Sequence, residues 1–212
     1  MTEQVILNIK GYPIKVELIK ARKTSRVYHY CFGIISLRVG PKETLKKIEK
    51  KLNELFSARV VYKFNPEPFF TDNYVYIFGE RTAFILKKNK PLEFDNILVE
   101  NSSHKFVSLK HILMQVLQDR VAYYEKIMEL SKHEIKVKKL ISIVANNHIK
   151  SNILNFNEKL VHFSIPLIDE VIVHELSHDY FGNHSQKFYN KVKEFCPDYK
   201  SRREKITYGV LK

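Results

Sequence analysis

Polar and hydrophobic residues alternate in the first half of the chain, which is the pattern of half-buried β-strands. Residues 5–9 and 14–19 show this alternation, and Gly11-Tyr12-Pro13 form the turn predicted between them. A further apolar stretch at 27–38 is interrupted by Phe32-Gly33 and predicts a second hairpin. The N-terminal half is therefore expected to be rich in β-structure.

The spacing of apolar residues changes at residue 42, where they begin to recur at steps of three and four. This spacing predicts a helix over 42–56, because residues three and four apart share one helix face. The segments that follow are predicted to be a loop (64–68), a hairpin (74–78 and 82–86 around a turn at 79–81) and a connector (91–103).

The second half opens with a long amphipathic helix, predicted over 105–130. Strands are predicted at 137–144 and 153–156, and helices at 184–195 and 198–205 follow the segment that contains the candidate site. This order predicts an α+β fold, with a β-rich N-terminal subdomain at 1–103 and a mixed helical and β domain at 104–212. The apolar stripe of the long helix comprises Leu109, Ile112, Leu113, Val116, Leu117, Val121 and Ile127.

The segment His174-Glu175-Leu176-Ser177-His178 carries the clearest functional signal. On a helix, His174 and His178 lie on one face and can bind the same metal ion. Zinc takes neutral imidazole nitrogens in a tetrahedral shell, and Glu175 is placed to reach a water at the metal without being a ligand. His184 is the nearest third ligand, and a catalytic zinc site keeps its fourth position open.

A solvated helix with two ordinary histidines is the alternative. It is disfavoured because Val171-Ile172-Val173 make the helix largely buried, where unpartnered polar groups are costly. The helix is predicted to run from Ser164 to Gly182. A capping-box pattern that begins at Asn183 predicts that His184 lies in the first turn of the next helix.

Composition limits the class of protein. The chain has 212 residues and is 44% hydrophobic, enough for one sizeable core or two small lobes. Cys31 and Cys196 cannot form a disulfide framework, which suits a reducing compartment. The sequence shows no signal peptide and no apolar run near the roughly 20 residues of a membrane span. A soluble, cytoplasmic protein without a membrane partner is expected.

The net charge of +13 raises the question of a nucleic-acid partner. Lysine outnumbers arginine by 28 to 8, and the lysines are spread along the whole chain. Arginine is favoured where phosphate is bound by a bidentate fork, so weak nucleic-acid binding through the basic surface stays an alternative. The densest basic cluster comprises Lys200, Arg202, Arg203 and Lys205.

The third ligand separates the families that share this motif. Metzincins have a glycine three residues after the second histidine and a methionine downstream, but Phe181 occupies that position here and all three methionines lie upstream. A gluzincin would use a downstream glutamate, for which Glu194 is the nearest candidate. His184 is closer and chemically sufficient.

Three segments around the motif carry a family resemblance: residues 168–176, Asn183-His184-Ser185 with Phe188, and residues 196–200. Upstream, Asn157 and Leu160 have the spacing of an Asn-x-x-Leu element. In these features the chain resembles the YgjP-like metallopeptidases, relatives of the SprT-like and Wss1-like proteases. The resemblance covers most of the chain and is specific over 153–200.

The resemblance implies a minimal zincin-like metallopeptidase domain at 104–212, continuous with the β-rich half, in which His174, His178 and His184 bind Zn²⁺ and Glu175 is the catalytic base. There is one departure. The family's Arg-Trp-Gly-Ser segment should fall near residues 144–147, which read Val-Ala-Asn-Asn here.

A zinc-dependent metallopeptidase that hydrolyses peptide bonds of a peptide or protein substrate is therefore expected. Two alternatives stay open: a SprT-like, DNA-associated protease that uses its basic surface as a tether, and a zinc-stabilised interaction module without turnover. Asp179 could orient a ligand histidine or be a plain surface residue. Candidates for stabilising the oxyanion are Tyr180, Tyr189 and Tyr199.

Overall fold

The computed structural model describes residues 2–21, 26–57, 69–71, 73–82, 85–86, 97–100, 106–141 and 143–212. The fold is α+β, as predicted. The chain divides into two compact units. Unit 1 comprises residues 1–67, 141–143 and 204–210, and unit 2 comprises residues 68–140, 144–203 and 211–212. The predicted subdomains at 1–103 and 104–212 are a different division, which stays a prediction.

Unit 1 contains a four-stranded sheet and a helix. The strands are β1 (Thr2–Ile9), β2 (Tyr12–Lys20), β3 (Arg26–Cys31) and β4 (Ile34–Val39), in the spatial order β1-β2-β4-β3. β2 and β4 run parallel, and each outer strand is antiparallel to its neighbour. Helix α1 (Leu45–Leu55) follows.

Helix α1 packs on the sheet through its apolar face and through Asn53. The Asn53 side chain accepts a hydrogen bond from Lys10 N at 2.7 Å and donates to Asn8 O at 3.1 Å. These bonds satisfy backbone groups where β1 ends. The hydrophobic core of unit 1 contains Leu7, Ile9, Ile14, Val16, Leu18, Ile35, Leu37, Val39, Ile48 and Leu52.

Two boundaries in unit 1 differ from the prediction. The first turn is Lys10-Gly11, so Tyr12 and Pro13 belong to β2, where Tyr12 pairs with Ile9. The helix predicted from residue 42 begins at Leu45, because the Thr44 side chain accepts from the N-terminal turn and caps it. The hairpin predicted at 27–38 is confirmed. The loop predicted at 64–68 lies outside the described residues.

Unit 2 begins with short antiparallel strands. β5 (Val75–Ile77) pairs with β6 (Glu80–Thr82), and β7 (Ile85–Leu86), β8 (Ile97–Glu100) and β9 (Phe106–Ser108) form a sheet in that order. The predicted hairpin is therefore present, with its second strand starting at Glu80 rather than at residue 82. The predicted connector at 91–103 is wrong in part, because it contains β8.

The rest of unit 2 consists of helices and one further sheet. Helix α2 spans Leu109–Ile127. Strands β10 (Glu134–Lys138), β11 (Ala145–His148) and β12 (Ile153–Asn157) form a sheet in the order β10-β12-β11, with β10 parallel and β11 antiparallel to β12. The last helices are α3 (Ile165–Ser177), α4 (Gln186–Phe195) and α5 (Tyr199–Tyr208); residues 204–208 of α5 belong to unit 1.

Helix α2 supports α3, the helix that carries the motif. Leu109, Leu113, Leu117 and Val121 of the predicted stripe are buried, whereas Ile127 is exposed. The Arg120 guanidinium and the Asp169 carboxylate join the two helices through two parallel hydrogen bonds of 2.7 Å. None of the described helices is both long enough and apolar enough for a bilayer span.

Two further predictions in unit 2 need correction. The helix predicted from residue 105 begins at Leu109, because Phe106–Ser108 pair with β8 and the Ser108 hydroxyl caps the helix. The strand predicted at 137–144 lies earlier, at Glu134–Lys138, where it pairs with β12. After it, the Leu140 carbonyl accepts from the Asn157 side chain, a contact of a connecting loop.

Candidate active site

Helix α3 places the motif against the core of unit 2. It starts after Ser164, whose extended backbone is followed by Ile165 and Pro166, as predicted. It ends at Ser177, five residues before the predicted stop at Gly182. His178 is the C-terminal cap and keeps helical backbone angles, φ −66° and ψ −21°, so it still lies over His174.

Three histidine side chains converge at the C-terminal end of this helix. One potential ligand atom from each of His174, His178 and His184 can be chosen so that all three lie within 4.8 Å of one another. The Nε2 atoms of His174 and His184 are 3.0 Å apart. Two ligands of a tetrahedral zinc ion are separated by about 3.3 Å, given Zn–N bonds of about 2.0–2.1 Å. The three side chains therefore have the spacing of a metal site.

His184 reaches this position from a loop, which corrects the predicted helix boundary. Helix α4 begins at Gln186, and Ser185 is its N-cap, with a side chain that accepts from Phe188 N. Asn183 is therefore not the cap, and His184 precedes the helix instead of lying in its first turn. The Phe188 ring packs against all three histidine rings, at centroid distances of 4.6–4.9 Å.

Hydrogen bonding orients the His178 ring. Its Nδ1 lies 3.2 Å from the Phe181 carbonyl oxygen. A carbonyl only accepts, so Nδ1 carries the proton and the lone pair of Nε2 is available to a metal. The turn after α3 thus selects the tautomer of His178 that can bind metal through Nε2.

Burial sets the charge of the site in the metal-free protein. Desolvation lowers the pKa of His174 to about 2, with the Arg203 charge adding to the effect, and it also lowers the pKa of His178. Both rings are therefore held in the neutral form that a metal requires. Glu175 is only 6% exposed, and burial raises its pKa to about 7, although Arg203 opposes the shift.

The Asp179 side chain contacts Asn147 and His133, and it belongs to a polar network that the sequence did not predict. Asn147 Nδ2 donates to Asp179 Oδ1 and to the Glu175 carbonyl, at 2.8 Å each. Asp179 Oδ2 lies 3.0 Å from His133 Nε2, and His133 Nδ1 lies 3.0 Å from Glu125 Oε1. These residues are far apart in sequence, so local patterns could not reveal the network.

A buried acidic side chain of α3 forms an ion pair with an arginine. The Glu170 carboxylate, inside an apolar run, accepts from Arg203 Nε at 2.9 Å. Arg202 donates to the Asp198 carboxylate at 2.9 Å. Both arginines of the predicted basic cluster are thus in ion pairs, and nucleic-acid contact stays a prediction. The sequence did contain a sign of such ion pairs: Asp169 and Glu170 lie among apolar positions, where a buried acidic side chain needs a partner.

The three candidate tyrosines have different surroundings. The Tyr180 hydroxyl donates to the Met128 carbonyl, so its proton is already engaged in a hydrogen bond. Tyr189 stacks on His184 at 6.0 Å and on Tyr199 at 5.7 Å between centroids. Their role at the site stays open to test.

A protein-family profile identifies the family of the chain. The profile described as YgjP-like, metallopeptidase domain, matches residues 42–208. The chain belongs to this family. It is therefore a metallopeptidase, and the resemblance drawn from the motif is confirmed.

Solved structures give a weaker likeness. The metallopeptidase zymogen of Pyrococcus abyssi abylysin is 16% identical with a TM-score of 0.37, covering 41% of this chain and 90% of the other. That of Methanocaldococcus jannaschii jannalysin is 23% identical with a TM-score of 0.36, covering 41% and 91%. No curated protein matches the chain.

Membership of this family implies a metal ion. The imidazole groups of His174, His178 and His184 are suitable donors for one. Three imidazoles offer ligand atoms within 4.8 Å of one another, and the burial of His174 disfavours its protonated form. Imidazole nitrogens suit zinc, copper, iron or nickel, whereas calcium and magnesium prefer oxygen.

Proposed function

We propose that this YgjP-like protein is a zinc-dependent peptidase in which His174, His178 and His184 hold the metal and Glu175 is the general base. The observation that supports this most is the convergence of three imidazoles, one of which is followed directly in sequence by Glu175, whose side chain is almost fully buried. Three protein ligands and a neighbouring acid are the set that metal-assisted hydrolysis requires.

Glu175 performs the proton transfer in this proposal. A zinc ion held by the histidines would supply Lewis acidity to a water molecule and to the peptide carbonyl. Glu175 accepts a proton from the attacking water and passes it to the leaving amine. A carboxyl group with a pKa raised to about 7 by burial is well matched to that exchange near neutral pH.

The surrounding residues keep the ligands in place. The Phe181 carbonyl fixes the ring orientation of His178, and the Phe188 ring packs against the ligand histidines. Ser177, fully buried next to His178, donates to the Val173 carbonyl at 2.7 Å and stabilises the last helical turn. Rigid support of this kind is what a preorganised site needs.

Three variants test the proposal: Glu175→Gln, His178→Ala and, as a control, Glu194→Gln. We expect Glu175→Gln to keep its zinc and lose about 10²- to 10⁴-fold in kcat, the usual contribution of a general base. His178→Ala should lose both metal and activity. Glu194 pairs with Lys191 on the next helix, so Glu194→Gln should retain both.

Metal analysis and hydrolysis of a mixed peptide library are measured on the same preparations. Wild-type cleavage by Glu175→Gln would show that another residue is the base. Loss of zinc from Glu194→Gln would favour the glutamate as third ligand over His184. Full zinc occupancy in a wild-type protein that cleaves nothing would support the interaction module instead.

A further inference from the structure

Asn147 joins an edge strand to the last turn of the motif helix. It lies in β11, at the edge of the three-stranded sheet, and its amide donates to both the Glu175 carbonyl and Asp179 Oδ1 at 2.8 Å. These two acceptors lie on either side of His178 in sequence. A single side chain therefore links the backbone of the proposed base to the turn that carries a proposed ligand.

The helix needs this contact because its own hydrogen bonding is weak at this point. The Glu175 carbonyl accepts from His178 N at 3.2 Å, an i to i+3 bond typical of a tightened last turn. Carbonyl groups in the last turn of a helix lack the regular i to i+4 donor. Asn147 supplies a shorter and stronger bond to the same oxygen.

Two further ionisable side chains, His133 and Glu125, lie behind Asp179, the second acceptor of the Asn147 amide. Asp179 Oδ2 is 3.0 Å from His133 Nε2. The other end of His133 faces Glu125 Oε1, at 3.0 Å from ring Nδ1 and 2.7 Å from the backbone nitrogen. The His133 side chain is fully buried. The Asn147 amide faces the Glu175 carbonyl, which can only accept, as well as Asp179 Oδ1, so its nitrogen rather than its oxygen points toward them.

We propose that Asn147 is a positioning residue for Glu175, held in place by Asp179, His133 and Glu125. The assignment rests on the proposed peptidase function. Asn147 fixes the rotation of the last turn of α3 relative to β11, and with it the direction in which the Glu175 carboxyl points. The base touches the reacting atoms, whereas Asn147 acts only through it.

Asn147→Asp is the test variant, because it keeps the shape of the side chain and replaces the donor by an acceptor. It then faces two oxygens and loses both bonds. The matched control is Asn146→Asp, in the same strand. The Asn146 Oδ1 atom accepts from Asn155 Nδ2 at 2.8 Å, so an aspartate there keeps its bond while adding the same charge.

We expect Asn147→Asp to lower kcat about 100-fold at saturating zinc, the usual effect of a misplacement near 1 Å, with KM and zinc content unchanged. Asn146→Asp should resemble wild type. Asn147→Ala removes the donor without adding charge, and it replaces the aspartate variant if the latter does not fold. Equal kcat values for wild type and the Asn147 variants would overturn the inference.

A double variant separates positioning from stability. Asn147→Asp with Asp179→Asn restores a donor and an acceptor between the two side chains, but leaves the Glu175 carbonyl without its side-chain donor. We expect the stability to recover and kcat to stay low. Recovery of both would mean that the network only stabilises the fold, which contradicts the positioning role.

Hydrogen exchange of the metal-free protein gives a readout that is independent of activity. The His178 amide bonds to the Glu175 carbonyl, so its exchange should be several-fold faster in Asn147→Asp and unchanged in Asn146→Asp. If the exchange rate of the His178 amide is unchanged in both variants, the positioning role of Asn147 is overturned, whereas the proposed peptidase function is not. A wild-type protein that binds zinc without cleaving peptides overturns the proposed function and this inference together.

Discussion

Arg203 and Glu170 form an ion pair whose two partners differ in exposure. The Glu170 side chain is fully buried, whereas the Arg203 side chain is 30% exposed. The Nε and Nη2 atoms of Arg203 lie 2.9 Å from Glu170 Oε1. Burial raises the pKa of Glu170 to about 7 in spite of this cation. The pair therefore compensates a charge that the interior of unit 2 disfavours.

Removal of Arg203 should destabilise the protein more than removal of its neighbour Arg202. Arg203→Ala leaves the buried carboxylate uncompensated, for which we expect a loss of about 3 kcal/mol at pH 8. Arg202 binds Asp198, whose side chain is 56% exposed, so Arg202→Ala should cost about 1 kcal/mol or less. Urea denaturation of metal-free protein measures both, and equal losses would contradict the buried-pair account.

Glu170 should also make the stability depend on pH. Its folded-state pKa, about 7, is above the usual value of 4.5, so the folded protein binds the proton more tightly than the unfolded chain does. The contribution of Glu170 to stability is therefore greatest below about pH 4.5 and is lost as the pH rises through 7.

The comparison with Glu170→Gln isolates this effect from other titrating groups. Relative to the glutamine variant, metal-free wild type should lose about 3 kcal/mol of unfolding free energy between pH 4.5 and pH 8. Urea denaturation at four pH values across this window is sufficient. A difference between the two proteins that is constant over the window would show that Glu170 does not titrate as described.

The sequence predicted the start of the motif helix and the spacing of its histidines well, because these signals are local. Ser164 and Pro166 mark its start, and the i, i+4 spacing places His174 and His178 on one face. The position of His184 was predicted less well. Asn183 and Ser185 are both good caps, and only the structure shows that the Ser185 side chain accepts from the first turn of α4.

Non-local pairing explains most of the other differences. Residues 106–108 continue a helical pattern in sequence, yet they pair with β8 and form a strand. The bond between Asn147 and the Glu175 carbonyl spans 28 positions, and that between Asn147 and Asp179 spans 32. Periodicity reports which face of an element is buried, but it does not identify the partner of a polar side chain across the fold.

Zinc should stabilise the wild-type protein and fail to stabilise His178→Ala. Binding to the folded state alone adds about 2.7 kcal/mol when free zinc is 100 times Kd. His148→Ala is a matched control, because His148 is an exposed histidine at the end of β11. Urea denaturation with and without zinc should give the full increment for wild type and for the control. The same increment in His178→Ala would mean that zinc binds elsewhere.

Two glycines in unit 1 share a left-handed backbone and differ in their surroundings. Gly209, at φ 77°, lies against the turn after β3, where Phe32 N and Gly33 N donate to the Ile206 and Thr207 carbonyls at 3.0 and 3.1 Å. A Cβ on Gly209 would be 2.9 Å from the Phe32 carbonyl carbon and oxygen. Gly11, at φ 88°, has nothing within 4 Å of the same position.

The two alanine variants should therefore differ in stability. Both carry the strain of a left-handed alanine, about 1–2 kcal/mol, and Gly11→Ala should lose no more than that. In Gly209→Ala two backbone segments must also separate, which adds about 1–3 kcal/mol. The chain has no tryptophan, so far-UV circular dichroism follows the unfolding in urea. Equal losses in the two variants would mean that the turn after β3 moves away from residue 209 at little cost.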